Sequence, residues 1–364
     1  MPADNSVHCR TALAGARLPP GSAPTFWNST KHAASSGVAR KVWDLTPFGF
    51  ELDMLLLRFR TLDSVVDGFL VTEATTTHTH DEKKPAVLTN ALANHSLPKS
   101  IAAKVTVRLL HFKHEQQRFC PGGVTMRCYE ALQRFVLLEM LFDVAAADDL
   151  ALVGDADEFA RPSVVSILKQ CYPFDIERRA PEFITLRLTL YKFGLHCNHG
   201  NSFELGLRAF SVGGLQSRYG GYRMATPKQL ADMSAGFTAT RSRTFSAPSI
   251  PNAGWHLTSF GTSFELARKL RTFLHSNIFR GAAIAKGSLD EVRLERCMRY
   301  CLELDKPSGP TLPPCTSRDD PRSRKLPGVL LTGVPTTTSE LPRDLIHHRE
   351  RYPETWFRFL PSGR

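Results

Sequence analysis

The sequence contains no long apolar run. No segment reaches the roughly 18 consecutive apolar residues that a membrane-spanning helix needs, and the best candidate, residues 135–147, is interrupted by Glu139 and Asp143. The N-terminus also lacks the basic and then apolar pattern of a secretory signal. We therefore expect either a soluble protein or one whose membrane anchor lies outside this sequence.

Cysteine motifs and glycine-rich phosphate loops are missing as well. The eight cysteines show no paired Cys-x-x-Cys spacing, so the sequence does not indicate a zinc site, and we expect structural thiols. No Gly-x-Gly-x-x-Gly or P-loop follows a predicted strand, which argues against a dinucleotide or ATP site. N-glycosylation sequons begin at Asn28 and Asn94, but two sequons in a chain of this length are weak evidence of secretion.

The formal net charge of +11 is concentrated at the two ends of the chain. Basic residues number five against one acidic residue in residues 1–42, and ten against six in residues 306–364. The part between them is close to neutral, and no run of Arg and Lys is interleaved with aromatic residues. This distribution argues against a DNA-binding or RNA-binding face, and we expect no nucleic-acid partner.

Composition divides the chain into three parts. Residues 1–40 are rich in Ala, Ser, Gly and Pro without a sustained period, which predicts a flexible N-terminal arm. Residues 41–305 carry the periodic apolar patterns of a folded domain. Residues 306–364 form a proline-rich, basic C-terminal tail, and the apolar residues after Leu345 could dock back onto the domain.

Strands and helices alternate in the first half of the domain, and the second half is richer in strands. This order predicts an α/β fold. Separately, we expect the glycine-rich residues 213–221 to form a loop. The apolar periods predict strands at 41–47, 65–71, 104–112, 150–153, 183–193, 203–212 and 254–261, and helices at 51–62, 127–147, 264–274 and 289–302.

The segment that best indicates a functional site follows the predicted strand at 150–153. Gly154 ends the apolar run, and three acids follow within four positions, at Asp155, Asp157 and Glu158. On extended backbone, Asp155 and Asp157 would point the same way. Two carboxylates on one rim suit Mg²⁺ or Mn²⁺, whose remaining positions go to phosphate and water. The sequence therefore predicts a site for a divalent cation and a diphosphate.

Two other interpretations of this segment stay open. Asp-x-Asp is short and also occurs by chance in solvated loops. It is also the nucleophile motif of metal-dependent phosphatases, although Phe159 stands two places after the second Asp, where Thr or Val is typical. Arg161 and Pro162 end the segment, and we expect Ser163 to cap the helix that follows.

Six short segments of the chain carry a resemblance to a known family. Singly they are weak, but as an ordered set they resemble glycosyltransferase family 17 over about residues 43–280. The segments are Phe50 to Arg58 (FELDMLLLR), Asp67 to Glu73 (DGFLVTE), Lys84-Pro85, Glu130 with Gln133-Arg134, Gly154 to Glu158 (GDADE) and Gly254 to His256 (GWH).

The resemblance implies a fold, a reaction and a location. The fold is a GT-A-like nucleotide-sugar-binding fold with a mixed central sheet and a β-richer acceptor-side half, and residues 41–305 would be the glycosyltransferase domain. The reaction is inverting, uses Mn²⁺ or Mg²⁺, and moves GlcNAc from UDP-GlcNAc to a mannose of a glycoprotein N-glycan, as in β-1,4-mannosyl-glycoprotein 4-β-N-acetylglucosaminyltransferases. The implied location is the Golgi lumen or membrane, through an anchor that this chain does not show.

The resemblance also implies roles for individual residues. Asp155 and Asp157 would bind the metal, and His256 would complete its shell by analogy with other GT-A enzymes. We expect Trp255 to be either a core aromatic or a platform that stacks on a sugar. The residues expected to face the donor are Glu73, Lys84, Arg134 and Trp255.

Such a reaction needs only one general base. A cation stabilises the charge on the leaving diphosphate, so one carboxylate that deprotonates the acceptor hydroxyl suffices. Glu158 is nearest to the predicted metal, and Glu204 and Glu265 are alternatives. For each of the three, a surface or capping role is favoured over that of the base. One departure from the family lies next to this site, because Phe159 to Pro162 (FARP) stands where relatives commonly have Ile-Pro. We expect this departure to change the geometry of the loop.

A carbohydrate-binding or inactive relative of these transferases is a further alternative.

Overall fold

The fold was analysed in a computed structural model. It describes residues 40–77, 83–112, 126–171, 183–195, 197–198, 207–219, 248–272, 294–295, 298–299 and 341–357. The expected N-terminal arm, most of the helix expected at 289–302 and most of the proline-rich linker lie outside these ranges.

Four parallel strands form one side of the central sheet. Strand β1 pairs in parallel with β2 and with β4, and β2 pairs in parallel with β3. All residues of β2 and β4 are buried, as expected for parallel strands covered on both faces. The bounds are β1 Val42–Phe48, β2 Gly68–Ala74, β3 Val105–Leu110 and β4 Leu150–Val153.

Helices connect these strands. The longest, α4, packs on β1 and β2 and buries Leu132, Leu137 and Leu141 completely. Burial of such a side chain stabilises the fold by about 1.5–3 kcal/mol. The helices are α1 Leu52–Leu62, α2 Val87–Ala93, α3 Lys99–Ala102 and α4 Met126–Val144.

The second half of the chain extends the sheet with antiparallel pairs. Strand β7 runs antiparallel to both β4 and β6, and the strand order is β3-β2-β1-β4-β7-β6-β8-β5. The predicted α/β fold with a mixed sheet is therefore confirmed, and it is consistent with a GT-A-like fold. The bounds are β5 Glu158–Ala160, α5 Pro162–Cys171, β6 Ile184–Lys192, β7 Arg208–Ser211, α6 Val212–Tyr219, β8 Ser249–Thr258, α7 Ser263–Thr272 and α8 Arg343–His347.

Three local expectations are wrong. The residues expected to form a loop at 213–221 are largely helical, because Val212, Leu215 and Tyr219 recur at helical spacing and are buried. Helix α5 begins at Pro162 rather than after a Ser163 cap, since proline fits the first helical position. Strand β2 lies about three residues later than predicted, because its polar residues are buried too.

The chain divides into two compact units. Unit 1 comprises residues 1–75, 85–188 and 201–255, and unit 2 comprises residues 76–84, 189–200 and 256–364. Within unit 2, the buried Trp356 stacks on Tyr352 and lies edge-on to Phe260. Its carbonyl oxygen accepts a hydrogen bond from the Leu195 N–H at 3.2 Å. Apolar residues of the C-terminal tail thus pack within this unit.

Candidate functional site

The acidic segment forms a tight turn at the end of β4. The Glu158 N–H donates to the Asp155 carbonyl oxygen at 2.9 Å, which closes a turn. The expectation of extended backbone here is therefore wrong. Asp155 and Asp157 are nevertheless partly exposed, whereas Ala156 and Glu158 between and after them are buried. The two aspartates are thus the members of this segment that could reach a cation.

The position of the turn in the sheet favours a binding role. The chain passes from β1 to β2 on one side of β1, and β4 pairs with its other side. Ligands of open α/β sheets bind outside the carboxyl ends of strands at such a switch in strand order. The turn from Asp155 to Glu158 follows the carboxyl end of β4, so it lies beside this switch point.

Arg134 on α4 forms an ion pair with the turn. Its guanidinium lies 2.7 Å from an Asp155 carboxylate oxygen and 3.1 Å from one of Glu130. Burial opposes its charged form, but Asp155 and Glu130 outweigh that effect and raise the pKa of Arg134 above its usual value. The structure therefore brings together Arg134 and Asp155, two residues that the sequence assigned to one site.

Glu158 is the buried acid of the turn, and its side chain is 5% exposed. One carboxylate oxygen accepts a hydrogen bond from the Asp155 N–H at 3.2 Å. Burial, followed by repulsion from Asp155 and Asp157, raises the pKa of Glu158 to about 8, against the opposing effects of that hydrogen bond and of Arg134. The contacts of Glu158 described by the structure hold the turn, and its role as a base stays a prediction.

Sequence reasoning missed Arg58, whose side chain contacts the backbone of this turn. Its guanidinium is fully buried and binds both carboxylate oxygens of Asp44 at 2.7 Å. It also donates to the carbonyl oxygens of Asp155 and Glu158. The signal was available, because an arginine on the apolar face of a helix and an aspartate within a buried strand predict a buried ion pair.

Glu73 is buried at the end of β2 and caps the first turn of α2. Its carboxylate accepts hydrogen bonds from the N–H groups of Leu88 and Thr89, each at 2.9 Å, and from the Thr89 hydroxyl at 2.7 Å. A carboxylate at a helix N-terminus is favourable for the helix dipole. The contacts described for Glu73 are thus structural. Its role toward a donor stays a prediction, as does that of Lys84, which is largely buried in unit 2.

Trp255 is packed rather than open. Its ring lies 5.7 Å from that of Phe159, and the Arg161 guanidinium lies over it at 4.4 Å from the ring centre. Arg161 is held in turn by the carbonyl and side-chain oxygens of Asn252. The residues that replace the common Ile-Pro therefore form a stack with Trp255, which favours the core interpretation over a sugar platform.

The remaining candidates are His256, Glu265 and Glu204. His256 is largely buried and belongs to unit 2, so its role toward a cation stays a prediction. Glu265 forms a capping box at the start of α7, because its carboxylate accepts from the Thr262 N–H and its own N–H donates to the Thr262 hydroxyl. Glu204 lies outside the described residues.

Three further observations concern metals, membranes and thiols. No three His, Cys, Asp or Glu side chains in the described ranges are grouped to hold a metal by themselves. The helices found in those ranges include none with the length and apolarity to cross a bilayer. Cys171 and Cys197 each take part in a disulfide bond, so the expectation of structural thiols is wrong for these two residues.

Comparison with known proteins gives one result that bears on the acidic turn. No match was found among curated proteins. A family model described as glycosyltransferase family 17 matches residues 27–235, which is more than half of the chain. The matched range contains the first five of the six segments that carried the resemblance, including the acidic turn. The chain therefore belongs to glycosyltransferase family 17.

Proposed function

We propose that this chain is an inverting, metal-dependent glycosyltransferase that moves GlcNAc from UDP-GlcNAc to a mannose of a glycoprotein N-glycan. Membership of the family supports glycosyl transfer from a nucleotide-sugar donor to a glycan acceptor. It also favours transfer over the phosphatase alternative. The observation that carries the finer proposal is the pair of partly exposed aspartates, Asp155 and Asp157, on a held turn beside the switch point of the sheet.

The donor set fits a divalent cation. Asp155 and Asp157 supply hard carboxylate oxygens, and a cation such as Mg²⁺ or Mn²⁺ usually takes only one or two protein carboxylates. Arg134 contacts one of the two oxygens of Asp155. When bound, the cation would neutralise charge on the leaving diphosphate. In this proposal His256 is a further ligand.

The residues around the two aspartates hold them in place. Arg134 fixes the Asp155 carboxylate and offsets the repulsion among the acids of the turn. Its position also suits the proposed role of contacting the donor, because guanidinium groups bind phosphate oxygens well. The group that deprotonates the acceptor hydroxyl is proposed to be a carboxylate, with Glu158 the member of the turn nearest to the aspartates.

The proposed location is the Golgi lumen or membrane. Disulfide bonds persist in oxidising compartments, so the disulfide bonds in which Cys171 and Cys197 each take part support a protein that has entered the secretory route.

A donor screen tests the proposal. The chain is incubated with a biantennary N-glycan and, in turn, UDP-GlcNAc, UDP-GalNAc, UDP-glucose, UDP-galactose and GDP-mannose, and release of UDP or GDP is measured with Mn²⁺ or with EDTA. We expect acceptor-dependent UDP release from UDP-GlcNAc that EDTA removes, and a β-linked product by NMR because the reaction inverts. Release from another donor alone, or equal release in EDTA, would contradict the proposal.

Melting temperatures separate the alternatives. UDP-GlcNAc with Mn²⁺ should raise the melting temperature of a transferase, since a ligand that binds the folded state stabilises it. A phosphatase should ignore this ligand pair. A non-catalytic relative would be stabilised but would release no UDP when acceptor is added.

A further inference from the structure

We propose that Arg58 is a positioning residue, which sets the orientation of the Asp155 and Asp157 carboxylates by holding the backbone of their turn. This inference rests on the proposed function, because it gives the turn a role in binding a cation. Arg58 does not contact either carboxylate. It acts through the main chain at both ends of the turn.

Arg58 is an arginine with an unusual location, because it is buried in the core. It lies on the buried face of α1 with no exposed surface. Removal of a guanidinium from water costs several kcal/mol unless the charge is paired and its donors are bonded. Asp44 on β1 supplies the charge, and its two oxygens accept from Nε and Nη2 at 2.7 Å each. This fork fixes the plane of the guanidinium.

The remaining nitrogen of the guanidinium, Nη1, contacts the acidic turn. Nη1 donates to the Asp155 carbonyl oxygen at 2.5 Å and to the Glu158 carbonyl oxygen at 2.6 Å. These two oxygens belong to the first and last residues of the turn, and Asp157 lies between them. One buried cation thus ties together the two ends of the turn that presents both aspartates.

The same contacts connect the turn to the sheet. Asp44 lies in the middle of β1, where it is paired in register with Leu152 of β4. Short, charge-assisted hydrogen bonds from Arg58 to Asp44 and to the turn therefore link the sheet to the acids. Carboxylates on a turn held in this way need little further ordering when they bind a cation, and such support is typical of the surroundings of metal ligands.

The experiment compares Arg58→Lys with a control on the same helix. Lysine keeps the positive charge, but its single nitrogen cannot reproduce the fork and both carbonyl contacts. Leu62→Ala is the control, because Leu62 is fully buried on α1 and its truncation destabilises the protein without removing a hydrogen bond to the turn. Both variants are measured well below their melting temperatures.

Two readouts are used. The first is hydrogen exchange of the Asp155 and Glu158 amides without metal, since both amides are hydrogen-bonded within the turn. The second is calorimetric binding of Mn²⁺ in the presence of UDP. We expect Arg58→Lys to exchange these amides at least tenfold faster and to bind Mn²⁺ at least tenfold more weakly, whereas Leu62→Ala should match the parent in both.

Clear outcomes overturn the inference. Parent-like amide exchange or parent-like Mn²⁺ binding in folded Arg58→Lys would show that Arg58 contributes only stability, and equal changes in Leu62→Ala would show the same. If Arg58→Lys does not fold, the double variant Arg58→Met with Asp44→Asn replaces it, because it removes both buried charges together. A parent protein that binds no Mn²⁺ with UDP would contradict the proposed function itself, and the role of Arg58 toward a cation with it.

Discussion

The guanidinium of Arg134 and the carboxylate of Asp155 lie 2.7 Å apart, although 20 residues of chain separate them. Arg134 comes from the long helix α4, and Asp155 comes from the turn that ends β4. Their ion pair links α4 to the turn that follows β4. Four predictions follow from this arrangement and from the packing around it.

Arg134→Gln should destabilise the metal-free protein by about 1–3 kcal/mol. The change leaves Glu130 and Asp155 without their shared cation, and the cost is moderated because half of the Asp155 side chain is exposed. Thermal or urea unfolding in EDTA measures the loss. Arg108→Gln is the control, because Arg108 forms a more exposed ion pair with Glu139 and should cost no more than about 0.5 kcal/mol. Equal losses in the two variants would contradict the prediction.

Asp157→Ala should remove metal-dependent UDP release, by about 100-fold or more, while the fold stays intact. The side chain is partly exposed at a strand end, so its removal leaves no cavity in the core, but it takes away one proposed metal ligand. UDP release with UDP-GlcNAc and acceptor measures the effect, and circular dichroism checks the fold. Asp148→Ala removes an exposed acid just before β4 and should retain parental activity. Unchanged turnover in Asp157→Ala would rule out this metal assignment.

Glu158 should make the metal-free protein less stable as the pH rises. Its pKa in the folded protein is raised from 4.5 to about 8 by burial and by Asp155 and Asp157. Between those values the folded state holds a proton that the unfolded state releases, so the free energy of unfolding falls with increasing pH. The contribution of protonated Glu158 is complete below about pH 4.5 and is lost as the pH passes through about 8.

Urea unfolding in EDTA between pH 5 and pH 9 measures this dependence. Glu158→Gln stays neutral at every pH and should flatten the slope, relative to the parent protein. Glu350→Gln removes an exposed carboxylate and controls for the loss of one acid. If the free energy of unfolding of Glu158→Gln falls with pH as steeply as that of the parent, another group causes most of the pH dependence.

Gly254→Ala should be severely destabilising, by about 3 kcal/mol or more. A Cβ at this position would lie 2.1 Å from the Phe159 carbonyl oxygen and 2.8 Å from the Ala160 Cα, so backbone must move. Gly49→Ala is the control, because its Cβ would meet only the flexible end of the Glu51 side chain at 3.1 Å. Urea unfolding compares the two, and a loss below 1 kcal/mol in Gly254→Ala would contradict the close approach of β8 and β5.

Much of the fold could be predicted because apolar residues recur along the sequence with the period of a strand or a helix. The apolar run at 150–153, the alternation at 183–193 and the helical spacing at 51–62 each match a strand or helix to within a residue or two. Each of these elements buries one face, and the spacing of its apolar residues in the sequence identifies that face. Helix α6 was missed because glycines at 213 and 214 suggested a loop, while three buried apolar residues hold it against the sheet.

The acids of the candidate site could also be predicted, but not how they are held. The Asp-x-Asp pair after a buried strand gave Asp155 and Asp157, and the range matched by the family model includes that segment. The same reasoning assigned Arg134 to the donor rather than to Asp155, and it gave Arg58 no role. Each of these side chains has partners between 4 and 100 residues away in the chain.

The sequence by itself determined most of the strands and helices, the family and the two partly exposed aspartates, because periodic burial and short motifs depend on neighbours along the chain. Only the tertiary structure decided that Glu73 caps a helix, that Trp255 is stacked under Arg161 and that Arg58 ties the acidic turn to β1. Those roles depend on which distant groups share a buried, low-dielectric space. A buried charge or hydrogen-bonding group must find its partner there, wherever in the chain that partner lies.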